Sequence, residues 1–446
     1  MPNLPDEFLQ RMQTELGTEF PDYIQGLSEP APISLRLNPR KRIQQFDSAA
    51  KIPWCHEGRY LDQRPSFTFD PLFQAGCYYV QEASSMYLEK IIAQLNLSAG
   101  IRALDLCAAP GGKSTHLLSL LPHGSFLVSN EVIPSRNKIL EHNLLKWGMP
   151  SVITQNKSSD FSRLPDYFDL VLVDAPCSGE GLFRRDESAI SEWSPENVNL
   201  CSVRQQQILR DAVHCLKPGG YLIYSTCTFE TSENEAQVSN LVSSSEMELI
   251  PLEAAFPEIV SSAEGLRFYP HRVKGEGLFY SLLRKKEGTI NDSRKFRVDE
   301  KSHGKRDRLL LQDYLVNHEE FIPHCEGDRL FAIPVQLREA FQFFRSSLYL
   351  RNAGLLMGTW KKDDFLPSQD LAMSVYARPE LPGKEFDRDA AIRYLRCEPV
   401  DPAGLKAGWN LVRYSGFNLG WIKVLSNRSN NYFPKEWRIV SEEKVI

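Results

Sequence analysis

The chain has 446 residues, 42% hydrophobic and 24% charged, ordinary values for a globular protein able to bury a sizeable core. No apolar run long enough to span a bilayer occurs, and the start MPNLPDEFLQRMQTEL lacks the apolar stretch of a signal peptide. The net charge of −5 weighs weakly against nucleic acid as a partner, although only a local basic face is needed for that.

One compact domain rarely exceeds about 250 to 300 residues, so two or three domains are expected. In the first, Phe8, Met12, Leu16 and Phe20 recur every four residues, a helical pattern. The strand-like ISLRLNPRKR follows and ends in a basic cluster. From about 100 to 285 apolar runs alternate with helical stretches. RALDL (102–106), FLVSN (126–130), SVIT (151–154), DLVLVD (169–174) and YLIYST (221–226) read as strands. Helices are expected over Lys113 to Leu121 and Pro134 to Trp147. This alternation implies βαβ units and a buried, mainly parallel sheet. The charged stretch 287–306 reads as a linker. Beyond it, 307–446 carries Gly-punctuated apolar segments such as RNAGLLMGTW and RYSGFNLGWIKV, the signature of a small β-rich or mixed domain.

Nine cysteines are present, without a C-x-x-C pair. A zinc site is therefore not expected, and reduced thiols in a cytoplasmic protein are. In LDLCAAPGGKSTHLL (104–118) a strand ends, a loop of small residues follows, and a helix begins. Small residues let a ligand approach the backbone, and a helix start offers free N–H groups. The glycine spacing fits neither a dinucleotide fingerprint nor a P-loop, so a nicotinamide oxidoreductase is disfavoured. Glu131 ends the next strand, where a carboxylate can bind ribose hydroxyls, or simply begin a helix. DLVLVDAPCSGEGLFRRD places Asp174 and Cys177 at the carboxyl end of a strand. Cys227 follows the strand YLIYST. Strand ends lie along one edge, so the two cysteines can meet although fifty residues apart. Most cysteines are inert packing, and Cys201 and Cys215, on an apparent helix, are expected to be so. By residue logic alone either Cys177 or Cys227 could be a nucleophile.

Together these motifs resemble the NOL1/NOP2/Sun family of RNA cytosine-5 methyltransferases. SLRLNPRK, YYVQEASSM, PSRNKILEHNLLKWG, YSTCTF and RFYPHRVKGEGLFYSLLRK also match, so the resemblance covers roughly residues 30 to 285. GLLMGTWKKDDFLPSQDLAMS and GFNLGWIKVLSNRSNNYFPKEWRI look like the PUA-type tail of the bacterial RsmF-type branch, whose members modify small-subunit ribosomal RNA. The resemblance implies an α/β, Rossmann-like class I methyltransferase core with a mainly parallel seven-stranded sheet over 96–286. It also implies an N-terminal α+β RNA-binding segment (1–95) and a C-terminal PUA-like RNA-binding domain (307–446).

The cofactor implied is S-adenosyl-L-methionine, held by Cys107, Ala108, Ala109, Pro110, Gly111, Gly112 and Lys113, with Glu131 on the ribose. Asp174 would lie between the cofactor and the target base. Asn156 stands where the family has an acid near the adenine, a departure that leaves this contact open. Cys227 is implied as nucleophile, Cys177 as the residue of the release step, and Lys113 as a source of positive field; no metal is implied. RNA is the implied partner, small-subunit ribosomal RNA or the subunit itself, with neither membrane nor DNA. A tRNA methyltransferase and a catalytically silent RNA-binding assembly factor are the other readings. Arg40, Lys41, Arg42, Arg184, Arg185 and the linker are candidate RNA-facing charges, each more often just a solvated surface.

Overall fold

The computed structural model describes residues 4–244, 246–288, 304–426 and 428–441. Most of the expected linker, 289–303, lies outside them. The N-terminal helical pattern breaks in two. Helix Asp6–Leu16 buries Phe8 and Met12, and Gly17, at positive φ, turns the chain toward helix Phe20–Ser28. Strands β1 (Ile33–Leu37), β2 (Gly58–Leu61) and β3 (Tyr78–Val80) follow as a small antiparallel sheet ordered β2-β1-β3.

The centre is β4 (Arg102–Asp105), β5 (Phe126–Asn130), β6 (Ser151–Thr154), β7 (Phe168–Asp174) and β8 (Leu216–Thr226). They pair in parallel, in the order β8-β7-β4-β5-β6. The continuous apolar runs are explained by burial on both faces. Leu170 and Leu172 of β7 point into one core, with Leu117, Leu140 and Trp147 of helices Gly112–Leu120 and Pro134–Trp147. Val171 and Val173 point into the other, with Ile208, Leu209 and Ala212 of helix Pro195–Cys215. Alternation along a strand feeds two layers from one sequence run. Cys215 is buried on that helix and Cys201 half-buried, as packing residues are.

This parallel unit is extended on both sides. Beyond β8, β12 (Leu278–Lys285) runs antiparallel and carries β9 (Met247–Leu249) and β11 (Leu266–Phe268), with β10 (Val260–Ser261) outermost. Beyond β6 the C-terminal region contributes β13 (Phe321–Glu326), β14 (Arg329–Pro334), β15 (Leu350–Lys361) and β16 (Asp364–Pro367). β15 pairs antiparallel with β6, Leu350 opposite Thr154 and Gly354 opposite Ser151. The expected seven-stranded sheet thus becomes one mixed sheet of 13 strands. The reason is that β6 would otherwise end the sheet with unpaired N–H and C=O groups, and β15 covers them. A separate sheet follows, β17 (Gly383–Glu385), β18 (Gly408–Tyr414), β19 (Phe417–Val424) and β20 (Ser429–Asn431), in that order. Its core is shared with the N-terminal sheet, Leu35 and Tyr78 packing in one cluster with Val412 and Ile422. Gly148 ends helix Pro134–Trp147 at φ +83°, and a Cβ there would meet the Met373 carbonyl at 2.4 Å, so the helix end and the C-terminal region touch backbone to backbone. Among the described residues no helix is long and apolar enough to cross a membrane.

Candidate active site

The carboxyl ends of β4, β5, β7 and β8 open into a cleft of about 1230 Å³. That exceeds a typical small-ligand pocket and is room enough for a cofactor and a nucleotide side by side. One wall is the loop 106–113. It is held by backbone bonds to its neighbours: Leu106 N–H donates to Leu172 O at 2.9 Å and Ala108 N–H to Asn130 O at 2.8 Å. Asn130 also donates its side-chain amide to the Leu106 and Asn156 carbonyls. Gly111 sits at φ +111° and starts helix Gly112–Leu120, whose first N–H groups face the cleft end of the sheet. β1 clamps this helix start. The buried Arg36 donates to Gln81, to Thr115 Oγ1 at 2.6 Å and to Gly112 O, and lies over the Trp147 ring. This is the structural content of the SLRLN segment.

Glu131, 4% exposed, lines the same wall and accepts from Ile133 N–H at 2.8 Å. Asp105 is buried beneath the loop. Its Oδ2 accepts from Ser114 Oγ at 2.6 Å, while Oδ1 has no partner. Burial raises its carboxyl to about 7. A buried acceptor without a donor is costly, and a ligand bearing an ammonium group would supply the donor. S-adenosylmethionine bears one, so the residues present fit that cofactor.

The opposite wall carries the sulfurs. Cys177 Sγ lies 3.1 Å from Cys227 Sγ. The hydrogen bond with Cys227, followed by burial, pushes the Cys177 thiol well above its ordinary range, so Cys177 holds its proton. Asp174, at the end of β7, accepts through Oδ1 from Lys113 Nζ and from Ser225 Oγ, both at 2.7 Å. Burial alone would lower Lys113, but Asp174, Tyr280 and Cys227 together raise it, and it stays charged. The loop 106–113 and the cysteine wall are thus joined through the Lys113–Asp174 ion pair.

The structure therefore brings together Cys107, Ala108, Ala109, Pro110, Gly112, Lys113, Glu131, Asn156, Asp174, Cys177 and Cys227 around one cleft, with Gly111 just beneath it. Asn156 differs in one respect. Its side-chain amide donates to Tyr349 O at 3.0 Å and its Oδ1 accepts from Tyr349 N–H at 2.9 Å. Both polar groups are spent on Tyr349, the residue just before the strand that covers β6.

The candidate RNA-facing charges sort themselves. Arg40 and Arg42 are exposed, and Arg185 is half-exposed at the cleft mouth beside Glu276. Lys41 is buried, donating to the Ala75 and Lys146 carbonyls, and burial lowers it to about 8. Arg184 is turned inward onto the Gly26 and Gly275 carbonyls. Those two cations stitch segments together. Sequence reasoning passed over Asp105, Ser225 and Glu276. An acid inside the apolar run RALDL was the available signal for Asp105; nothing local marks the other two. Away from the cleft, Cys55, Glu89 and His116 converge, with Cys55 Sγ 3.9 Å and Glu89 Oε2 3.5 Å from the same His116 nitrogen. Burial holds the Cys55 thiol up at about 12 and His116 down at about 4, with the Arg36 guanidinium also opposing a charge on His116. The trio is a hydrogen-bonded anchor between the N-terminal segment and the core helices.

Residues 92–284 match the family model described as 16S rRNA methyltransferase RsmB/F. Residues 4–83 match the N-terminal domain of 16S rRNA methyltransferase RsmF, and 384–439 the methyltransferase RsmF PUA domain. The ribosomal RNA small subunit methyltransferase F of Aliivibrio salmonicida is 30% identical over 465 aligned positions, covering 97% of both chains. The protein of that name from Serratia proteamaculans is 35% identical over 303 positions, 63% of each chain. Among solved structures, a methyltransferase homolog protein from Pyrococcus horikoshii is 29% identical with a TM-score of 0.52, covering 60% of this chain and 91% of that one. NSun6 from Pyrococcus horikoshii with SFG, at 20% identity and a TM-score of 0.56, covers 64% of this chain and all of that one and shares the fold. The chain is accordingly an S-adenosylmethionine-dependent methyltransferase, and it belongs to the ribosomal RNA small subunit methyltransferase F family.

Proposed function

We propose that this enzyme methylates C5 of a cytosine in small-subunit (16S) ribosomal RNA, in the cytoplasm, through a covalent bond between Cys227 and C6 of the base. The observation that carries the reading is the pair of sulfurs 3.1 Å apart, facing a cleft that also holds the Asp174–Lys113 ion pair. Cytosine C5 is a poor nucleophile. A thiolate bonding to C6 moves an electron pair into the ring and makes C5 nucleophilic. When bound, S-adenosylmethionine supplies the electrophilic methyl group.

The roles of this chain's own residues follow. Cys227 is the attacking thiolate, and Cys177, which keeps its proton, is placed to hydrogen-bond that sulfur. Asp174 Oδ1 is taken by Lys113 and Ser225, leaving Oδ2 to accept from the exocyclic amino group of the base. Lys113 adds positive field beside the developing negative charge. After methyl transfer C5 gives its proton to solvent water, the C–H electron pair reforms the C5–C6 double bond, and the S–C6 pair leaves on sulfur as the Cys227 thiolate. Cys177 assists that departure. Cys107, Ala108, Ala109, Pro110, Gly111, Gly112 and Lys113 hold the cofactor, Asp105 its ammonium, and Glu131 its ribose. Asn156 forms part of the adenine wall without offering its amide.

The target must leave any helix to reach the cleft. In this reading, residues 1–95 and 307–446 bind RNA around the methyltransferase unit 96–286, and Arg185, Arg40 and Arg42 meet its phosphates. Bisulfite sequencing of RNA from cells with and without the gene tests the proposal. One 16S cytosine that loses protection is the expected result. A lost tRNA site would keep the chemistry and change the substrate, and no change at any cytosine would favour an RNA-binding assembly factor instead.

A further inference from the structure

We infer that the N-terminal helix Asp6–Leu16 is part of the catalytic machinery, with Arg11 and Glu180 as positioning residues that hold the two cysteine loops in register; the inference rests on the reading of Cys227 as nucleophile. Glu180 lies three residues after Cys177 and is fully buried. Its Oε1 accepts from Trp193 Nε1 at 2.9 Å, and its Oε2 from the backbone N–H of Phe229 at 3.0 Å. Phe229 lies two residues after Cys227. One carboxylate therefore spans the loops that carry both sulfurs. Beside it the Gly181 N–H donates to the Cys227 carbonyl at 2.9 Å.

A buried carboxylate needs a cation, and neither loop supplies it. It comes from the N-terminal helix: Arg11 Nη2 donates to Glu180 Oε1 at 2.6 Å, and Arg11 Nε lies 2.8 Å from Glu230 Oε1. The same helix reaches the Cys227 loop a second time. Glu15 Oε1 accepts from Arg267 at 2.9 Å, and Arg267 in turn donates to the Phe229 carbonyl at 2.8 Å. Apolar packing runs in parallel. Phe8 and Met12, both fully buried, join Phe183, Trp193 and Phe229 in one cluster. Phe8, Arg11 and Met12 thus reach the segments after both sulfurs directly, and Glu15 reaches the Cys227 loop through Arg267. The N-terminal segment thereby sets how far Cys227 stands from Cys177 and from the base.

The test uses the full chain and steady-state methylation of a small-subunit rRNA transcript. Arg11→Met is expected to lower kcat by about tenfold or more while the Kd for S-adenosylmethionine stays within about twofold, because misplaced reacting groups cost rate without touching the cofactor wall. Arg11→Lys restores a cation and should recover part of kcat. Glu180→Gln keeps the side-chain shape but only one acceptor oxygen, so it loses the ion pair and one of the two bonds from Trp193 and Phe229, and kcat should again fall with cofactor affinity held. The double variant Arg11→Met/Glu180→Gln should lose less than the product of the two single losses, since both act through one contact. Wild-type kcat in Arg11→Met would overturn the proposal, as would a kcat loss matched by an equal loss of cofactor affinity, which is the signature of a merely structural role. Cys227→Ala is run alongside. If it is inactive while Arg11→Met is normal, the clamp is wrong and the nucleophile stands. If Cys227→Ala still turns over, the nucleophile assignment itself fails.

Discussion

Strands β4 to β8 run parallel and end at the cleft, whereas β13 to β16 run antiparallel and rest on the far edge of the same sheet at β6. The first group carries Asp174, and just beyond its strand ends Cys177 and Cys227. The second places no proposed catalytic side chain there, yet the chain just before β15 reaches the cleft wall through the Asn156–Tyr349 bonds. The difference separates two jobs of one sheet. Parallel strands with helices on both faces create a crevice at their carboxyl ends. Their edge must then be covered, and a later part of the chain does it. The C-terminal region is therefore bonded into the methyltransferase unit, and perturbing either side tests how far the two behave as one body.

The largest effect belongs to the parallel side alone. Cys227→Ala should lower turnover by on the order of 10³-fold or more and leave the melting temperature and cofactor affinity unchanged. Cys177→Ala should slow release, so that protein crosslinked to RNA accumulates as a slow-migrating species on a denaturing gel. Absence of that species would remove Cys177 from the release step. Either variant melting early would mean that the sulfurs support the fold.

The shared-body reading is tested next by Phe344→Ala. Phe344 lies on helix Arg338–Ser347 in the C-terminal region and is fully buried, its ring 5.9 Å from Phe126 of β5 and 5.6 Å from Tyr167. Truncating it should cost roughly 3–5 kcal/mol. The cofactor unit should melt earlier, in the same transition as the C-terminal strands. Calorimetry showing a separate early transition, with the cofactor unit unmoved, would break the comparison. Asn156→Ala is the finer version. It removes two hydrogen bonds to the Tyr349 backbone and should cost roughly 1–3 kcal/mol. Cofactor affinity should weaken with it. Lost stability with unchanged affinity would confine Asn156 to the seam.

The same contrast explains what was legible in the sequence. FLVSN and SVIT coincide with β5 and β6, and Pro134 to Trp147 with its helix, because buried parallel strands are short apolar runs bounded by turns. The cleft was legible for the same reason: Asp174 and Cys227 follow such runs directly. The pairing of β15 with β6 joins residues some two hundred positions apart, and no local pattern encodes it. Arg184 and Lys41 show the limit in another form. A basic residue in a turn reads as surface, yet burial against backbone carbonyls gives it a different task, set by neighbours distant in sequence. The Arg11–Glu180 contact, 169 positions apart, was hidden in the same way.

The smallest effect sharpens the parallel side from within. Burial raises the Asp105 carboxyl to about 7, far above an ordinary aspartate. A carboxyl raised in the folded state is protonated there at pH values where the unfolded chain is already ionised. Its share of the stability of the ligand-free fold is full below the ordinary aspartate range and is lost as pH rises through about 7. Cofactor binding should move the opposite way, because only the ionised carboxylate attracts an ammonium group. From about pH 6 to pH 8, then, the melting temperature of the ligand-free enzyme should fall slightly while the Kd for S-adenosylmethionine tightens by a few-fold. Asp105→Asn keeps the shape and removes the charge, so both trends should flatten together. A Kd that still tightens in Asp105→Asn would move the ammonium contact to another residue of the cofactor wall.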